Sequence, residues 1–142
     1  MAAAPYQYLQ AKVEQGVLVL TTTRAQIEGE EVAATLRQEM CAAADEYGIN
    51  QIIVDFHQTT YISSAAFWPL LSLWSKIKDG GGRLILCGLS PMVGDVFYTT
   101  RMISPDVSIK APFQVEANLA SALARMREPA PQPDPSAESS GS

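Results

Sequence analysis

Two short apolar runs limit the folds open to this chain more than any other feature of its sequence. QIIVDF (residues 51–56) and RLILC (residues 83–87) are each shorter than a typical helix, and turn-forming residues flank them. Consecutive apolar side chains predict strands buried on both faces, as in a parallel sheet covered by helices. Between these runs, apolar residues recur with a helical period, at Phe67, Leu70, Leu71, Trp74 and Ile77. The sequence therefore predicts a strand–helix–strand unit of the α/β class.

The rest of the chain extends this pattern. Glu14-Gln15-Gly16 separates two β-rich runs, which predicts an antiparallel hairpin, and Ser90 before Pro91 is typical of a helix N-cap. The other predicted elements are strands over 6–12, 17–22 and 107–110, and helices over 28–47, 67–79, 91–101 and 113–126. Gly48 is predicted to end the first of these helices. The order β-β-α-β-α-β-α-β-α predicts a mixed sheet with helices packed on it.

Length and composition indicate one domain followed by a tail. The chain has 142 residues, of which 47% are hydrophobic, and this is enough for a single core. Residues 128–142, EPAPQPDPSAESSGS, contain no aliphatic residue larger than alanine, so they cannot bury enough apolar surface to offset their ordering entropy. We expect the domain to span residues 1–127 and the tail to be disordered.

Charge and hydropathy argue against several classes of partner. The net charge is −5, and no stretch clusters Lys and Arg with aromatic residues, so nucleic-acid binding is not expected. No apolar run reaches the length of a membrane span, and the N-terminus lacks the pattern of a secretory signal, so we expect a cytoplasmic protein.

Cys41 and Cys87 lie in apolar segments and form no CxxC pair. Neither a disulfide nor a zinc site is therefore expected.

Catalytic motifs are missing from the sequence. His57 is the only histidine, so it has no second histidine for a metal site, and we interpret it as a loop residue. GLSPMVG (residues 88–94) follows a strand and opens a helix, but it lacks the GK[ST] ending of a phosphate-binding loop. The sequence therefore favours a protein that is not an enzyme and needs neither cofactor nor metal.

The turn YISSAAFW (residues 61–68) is the strongest candidate for a functional loop. It lies between a predicted strand and the helix after it, where open α/β sheets place their functional residues. The alternative is that Ser63 or Ser64 only caps the helix by accepting a backbone N–H.

Residues 54–91 resemble the central segment of STAS domains, the family of anti-sigma factor antagonists and sulfate-transporter cytoplasmic domains. Asp55 matches the Asp that ends the family's strand, and Tyr61-Ile62 match its aromatic–Ile pair. Leu70-Leu71 match an apolar pair in the helix, and residues 81–84 match the Gly-rich entry into the next strand. The resemblance covers about residues 6–126 and agrees with the predicted order of elements.

The sequence departs from the family pattern Asp-Ser-Ser-Gly-Leu-Gly in the turn. Without a gap, Ser63 replaces the Asp, Ser64 matches the first Ser, and Ala65 replaces the second Ser, which partner kinases phosphorylate in the antagonists. Phe67 then replaces Leu, and Trp68 replaces the further Gly. A one-residue gap would make Ser64 the phosphoacceptor, but it would place Phe67 on the small Gly. We therefore prefer the ungapped match.

A regulatory protein-interaction module, binding an anti-sigma factor or a serine kinase, is the function that the resemblance implies. The predicted contact residues are Asp55, Ser63, Ser64, Ala65, Phe67 and Trp68, beside a loop over residues 90–93, with Ser64 as a candidate phosphorylation site. One alternative is a STAS-like domain that binds a small apolar or nucleotide ligand between Trp68 and His57. Another is a small enzyme that uses His57 or Cys87.

Overall fold

A computed structural model of the chain describes residues 6–99 and 113–128. The strands are β1 (Leu9–Glu14), β2 (Val17–Thr22), β3 (Gln26–Ile27), β4 (Gln51–Asp55), β5 (Tyr61–Ile62), β6 (Arg83–Cys87) and β7 (Gln114–Glu116). The helices are α1 (Glu30–Tyr47), α2 (Phe67–Lys78), α3 (Pro91–Thr99) and α4 (Leu119–Arg127).

Five strands form one mixed sheet in the order β1-β2-β4-β6-β7. The hairpin β1–β2 is antiparallel, whereas β2, β4, β6 and β7 run parallel to one another. Because the parallel strands share a direction, the carboxyl ends of β2, β4 and β6 lie at one edge of the sheet. The predicted mixed sheet and its α/β class are confirmed.

Both faces of the central strands are buried, which explains their continuous apolar sequence. Ile52 and Val54 point into the larger core with residues of α1 and α2, whereas Ile53 packs with Ala122 and Leu123 of α4. Successive side chains of a strand alternate between faces, so β4 needs an apolar residue at each of these positions.

The helix stop at Gly48 and the hairpin turn between β1 and β2 are as predicted. Gly48 adopts a left-handed conformation after α1, with φ of 64°, and its N–H donates to the Ala44 carbonyl at 2.9 Å. The hairpin turn places Gln15 and Gly16 at positive φ, 55° and 78°. Helix α1 begins at Glu30, two residues later than predicted, after Gly29.

The predicted helix over residues 113–126 is wrong in its first part. Residues 114–116 form β7, in which Val115 lies opposite Leu86 of β6, and α4 begins only at Leu119. The Asn118 side chain caps α4 by accepting a hydrogen bond from the Ser121 N–H at 2.9 Å. Residues 114–116 are strand because they pair with β6, and this long-range contact is not visible in the local pattern of apolar residues.

Three other predictions lie outside the described residues. They are the strand over residues 107–110, the end of the third helix at Arg101 and the tail beyond Glu128.

A second, two-stranded sheet was not predicted. Strands β3 and β5 pair in parallel, with Gln26 opposite Tyr61 and Ile27 opposite Ile62. Each has only two residues, too few to show a periodic pattern. This pairing holds the loop after β2 against the loop after β4, beside the candidate functional turn.

Candidate functional site

Backbone hydrogen bonds position the turn over residues 61–68. The Thr60 N–H donates to the Ala25 carbonyl at 2.8 Å, and the Ser63 N–H donates to the Ile27 carbonyl at 2.9 Å. Two buried hydroxyls brace the same loops, since Thr22 Oγ1 lies 2.6 Å from Thr59 Oγ1. The turn is therefore a fixed feature at the carboxyl edge of the main sheet.

Neither serine caps the helix through its side chain, so that interpretation is wrong. A 3₁₀ turn over Ser64–Ala66 leads directly into α2, and Ser63 precedes it without a side-chain capping bond. Ser64 is exposed. Ser63 Oγ is buried and has no hydrogen-bond partner among the described residues. The two neighbouring hydroxyls therefore differ in accessibility.

Trp68 and Ala65 lie in a shallow cleft between α1 and α2. Its other lining residues are Glu30, Ala33 and Ala34 of α1. Trp68 is 47% exposed although it is large and apolar. The guanidinium of Arg37 lies over its ring, and Arg37 Nε donates to Ser72 Oγ at 3.1 Å. The cleft is therefore lined by small apolar side chains, by the carboxylate of Glu30 and by the aromatic ring of Trp68.

Phe67 does not belong to this surface, although it was a candidate contact residue. It is 7% exposed, and its ring centroid lies 5.1 Å from that of Phe97 in α3. Consecutive helical residues differ in direction by about 100°, so burying Phe67 in the core turns Trp68 outwards. Phe67 anchors the start of α2 instead of contacting solvent.

Pro69 is accommodated within the first turn of α2. It is the third residue of that helix and is buried. The first N–H groups of a helix have no intrahelical partner, so proline loses no hydrogen bond there. A 3₁₀ turn over Ser64–Ala66 precedes this helix.

Asp55 is also buried, but it contacts a residue at the surface. It is 5% exposed, and its carboxylate accepts hydrogen bonds from the His57 backbone N–H and lies 2.9 Å from His57 Nδ1. The His57 side chain is 58% exposed. The pairing of Asp55 with His57 was not predicted, although a carboxylate two residues before a histidine at a strand end was the available signal.

Cys87 adjoins the same carboxylate. Burial raises the pKa of the Cys87 thiol to about 12, and the charge of Asp55 and its hydrogen bond with the thiol add to the shift. A thiol that stays protonated at neutral pH is a poor nucleophile. Cys41, half-buried in α1, is likewise a free cysteine.

Gly88 makes the arrangement of Asp55 and His57 sterically feasible. A Cβ at this position would lie 2.5 Å from Asp55 Oδ1 and 2.9 Å from the His57 nitrogen, and the backbone has φ of 71°. Only glycine combines this conformation with such a close approach.

His57 and Trp68 line separate clefts. His57 shares its cleft with Lys12, Thr21 and Gln58, none of which lines the cleft of Trp68. A ligand site formed jointly by the two side chains is therefore not present in this arrangement.

Residues 90–93, predicted as a loop beside the turn, are the N-cap and the first residues of α3, and this helix contacts β5. Ser90 Oγ accepts a hydrogen bond from the Val93 N–H at 3.3 Å, which confirms the predicted N-cap, and lies 3.5 Å from the Thr60 carbonyl oxygen. Met92, the second residue of α3, is 54% exposed.

Residues 6–99 and 113–128 contain no group of three or more potential metal ligands. None of the helices in this part of the chain has the length and apolar character needed to cross a bilayer.

Comparison with known sequences identifies relatives over much of this fold. A family model for the STAS domain matches residues 8–110. BtrV of Bordetella bronchiseptica, provisionally named as an anti-sigma factor antagonist, is 32% identical over 72 residues, which are 51% of this chain and 61% of BtrV. The match thus spans less than two thirds of that relative.

Solved structures share the fold at low sequence identity. A Thermotoga maritima protein, provisionally named as an anti-sigma factor antagonist, has a TM-score of 0.70 and 17% identity, with coverage of 84% of this chain and 95% of its own. The Bacillus cell fate determinant SpoIIAA, in its phosphorylated form, has a TM-score of 0.59 and 18% identity. The match covers 84% of this chain and 99% of SpoIIAA. The family model spans well over half of the sequence, and the chain therefore belongs to the STAS domain family.

Proposed function

We propose that this STAS domain is a non-catalytic regulatory module of the anti-sigma factor antagonist type, which binds an anti-sigma factor or a serine kinase. The observation that carries the proposal is the exposure of Trp68 at the start of α2, beside Ser64 and Ala65. Exposed aromatic residues in apolar clefts are typical anchors of protein interfaces. The anti-sigma factor antagonists among its relatives indicate the class of partner.

The proposed contact face consists of accessible residues of the turn and of the first turn of α3. Ser64, Trp68 and the half-buried Ala65 would contact the partner, together with Met92 of α3. Asp55 and Phe67 would support this face from beneath, because both are buried.

The surroundings of the reactive side chains support a non-catalytic role. Cys87 is fully buried, and burial raises the pKa of its thiol to about 12, so its thiolate is scarce at neutral pH. Asp55 binds the ring of His57. Among the described residues, no serine hydroxyl and no cysteine thiol is hydrogen-bonded to this ring, as a nucleophile would be.

We also propose that Ala65 occupies the position of the usual phosphoacceptor. Alanine has no oxygen to accept a phosphoryl group, so the switch of the related antagonists would be missing at this position. Ser64 is the exposed hydroxyl next to it, and phosphate there would add a charge of about −1.5 to −2 at the contact face.

Affinity capture from extracts of the source cells tests the proposed function. We expect the wild-type protein to retain an anti-sigma factor or a serine kinase, and Trp68→Ala to lose it. Rebinding of the purified partner should be weakened about 30-fold, the effect of removing an interface hot spot. Retention of the same partner by Trp68→Ala, or capture of no regulatory protein, would argue against the proposal.

Val13→Ala is the matched control. Val13 is 45% exposed, close to the value for Trp68, but it lies at the end of β1, which is antiparallel to β2. It is therefore at the opposite edge of the sheet from the turn. We expect this variant to capture the partner as the wild type does.

Mass spectrometry of the protein from its own host tests the assignment of the turn. We expect phosphate on Ser64 or on neither serine, since Ser63 Oγ is buried. Phosphate on Ser64 would indicate that this residue has taken over the switch. Its consistent absence would indicate a constitutive binder, and phosphate on Ser63 would contradict the proposed geometry.

A further inference from the structure

Strand β1 is the outermost strand on one side of the main sheet. It pairs with β2, and no other described strand pairs with it. The Thr23 N–H donates to the Tyr8 carbonyl at 3.0 Å, so the backbone groups of Tyr8 are directed towards β2. Successive residues of an antiparallel strand direct these groups to alternate sides. Leu9, Ala11 and Val13 therefore direct theirs away from β2, where no described residue bonds to them.

The accessible part of this strand begins after Leu9. Leu9 is buried, whereas Gln10, Lys12 and Val13 are exposed. Val13 thus combines an exposed apolar side chain with outward backbone groups. An accessible strand of this kind can add a strand of another chain to its sheet.

Lys12 and Glu14 give the strand a charge pattern that suits a second copy of the same chain. Two copies related by a two-fold axis pair through the same strand, in antiparallel orientation. Outward backbone groups must meet outward groups, so Val13 would lie opposite either Val13 or Ala11 of the second copy. The first register places Lys12 opposite the second copy's Glu14, and this pair occurs twice. The second register places the two Lys12 ammonium groups opposite each other.

The charges are available for the first register. Within one chain, Lys12 Nζ lies 3.6 Å from Glu14 Oε2, but both side chains are well exposed, so this pair contributes little. Opposite charges on directly opposed residues stabilise an antiparallel pair of strands, and like charges destabilise it. A lysine on an outermost strand usually discourages such pairing. Here the Glu14 carboxylate of an antiparallel copy would neutralise it.

We propose that β1 pairs with β1 of a second copy, with Val13 at the two-fold axis, and that this pairing joins the two five-stranded sheets into one. The two Val13 residues would exchange backbone hydrogen bonds and bring their side chains together on one face of the joined sheet. The Lys12–Glu14 pairs would form on the other face, because successive side chains alternate between faces. None of these residues lines the cleft of Trp68, so the dimer is independent of the partner proposed above.

Sedimentation velocity of the full chain at concentrations up to about 1 mM tests the proposal. We expect the wild type to form a reversible dimer. Lys12→Glu and Glu14→Lys each place like charges opposite each other twice, so each should weaken dimerisation about tenfold. The double variant that carries both changes restores opposite charges and should dimerise as the wild type does.

Two further variants complete the experiment. Lys78→Glu makes the same change of net charge at an exposed residue that ends α2, and it should leave dimerisation unchanged. Val13→Pro removes the outward N–H, which proline on an outermost strand can lack without loss to the existing sheet, and it should abolish the dimer.

Urea unfolding shows that each variant is folded before its sedimentation is compared. A monomer at every concentration, or a dimer that neither single charge reversal weakens, would overturn the proposal. A double variant that stays as weak as the single variants would do the same. Capture of the partner through Trp68 would be unaffected by any of these results.

Discussion

The guanidinium carbon of Arg37 lies 5.3 Å from the centre of the Trp68 ring. A residue in the middle of α1 therefore covers one face of an aromatic side chain at the start of α2. The contact fixes the direction of Trp68 while leaving 47% of the side chain exposed. A pre-oriented aromatic residue loses less conformational entropy when a partner binds it.

Replacing Trp68 by alanine should change stability only slightly. The side chain is half-exposed, and an exposed cation–π contact contributes about 0.5–1 kcal/mol. We expect Trp68→Ala to lower the free energy of unfolding by about 1 kcal/mol in urea titrations.

Phe67→Ala provides the comparison within the same turn. Phe67 is buried and packs against Phe97, so we expect a loss of about 3–5 kcal/mol, as for other buried aromatic residues. Equal losses for the two variants would contradict the opposite orientations of these neighbouring rings.

A negative charge at Ser64 should be compatible with folding but not with partner binding. Ser64 is the first residue of the 3₁₀ turn that leads into α2, and a carboxylate near a helix N-terminus stabilises by about 0.3–1 kcal/mol. We therefore expect Ser64→Asp to match or slightly exceed the wild type in thermal stability. Its affinity for the captured partner should fall about tenfold, because the charge would lose its hydration at the interface.

Ser64→Asn is the isosteric control for this charge. It should bind the partner nearly as the wild type does. If Ser64→Asp and Ser64→Asn weakened binding equally, shape and not charge would be responsible.

Gly88→Ala should disturb the pair formed by Asp55 and His57. The left-handed backbone alone costs a non-glycine residue about 1–3 kcal/mol, and the new methyl group would also displace the Asp55 carboxylate or the His57 backbone. We expect a lower free energy of unfolding and shifted resonances of the His57 ring.

Gly16→Ala separates these two effects. Gly16 has φ of 78°, but an added Cβ would meet nothing within 4 Å. We expect a smaller loss of stability than for Gly88→Ala and an unchanged His57 ring. Equal losses would show that the contact with Asp55 has no energetic importance.

The Cys87 thiol should make stability fall at alkaline pH. Burial raises the pKa of this thiol to about 12, whereas an unfolded cysteine has a pKa of about 8.5. Above that lower value the unfolded chain releases a proton that the folded chain retains, so rising pH favours unfolding. At pH 10 the thiol should account for a loss of about 2 kcal/mol relative to pH 7.

Cys87→Ala tests this contribution against the other groups that titrate in the same range. Urea unfolding at pH 7 and pH 10 should show a smaller pH-dependent loss for the variant than for the wild type. The same loss in both proteins would mean that Cys87 ionises equally in the folded and unfolded states.

The periodicity of apolar residues by itself determined the strand–helix–strand unit from β4 to β6. Continuous apolar runs and a helical stripe depend on local geometry, so they can be read without knowledge of neighbours. The strand β6 was predicted with the bounds that the structure has, residues 83–87. Gly48 could be assigned as a helix stop for the same reason, because its conformational freedom is a property of the residue.

The tertiary structure decided the features that depend on contacts between distant segments. Val115 fits a helical stripe, but pairing with β6 makes it part of a strand. Phe67 and Trp68 are both large aromatic residues, and only the packing of Phe67 against Phe97 selects which of them faces solvent. Which side chains of a turn are exposed depends on the residues that pack against the other side chains of that turn. These residues lie far from the turn in the sequence.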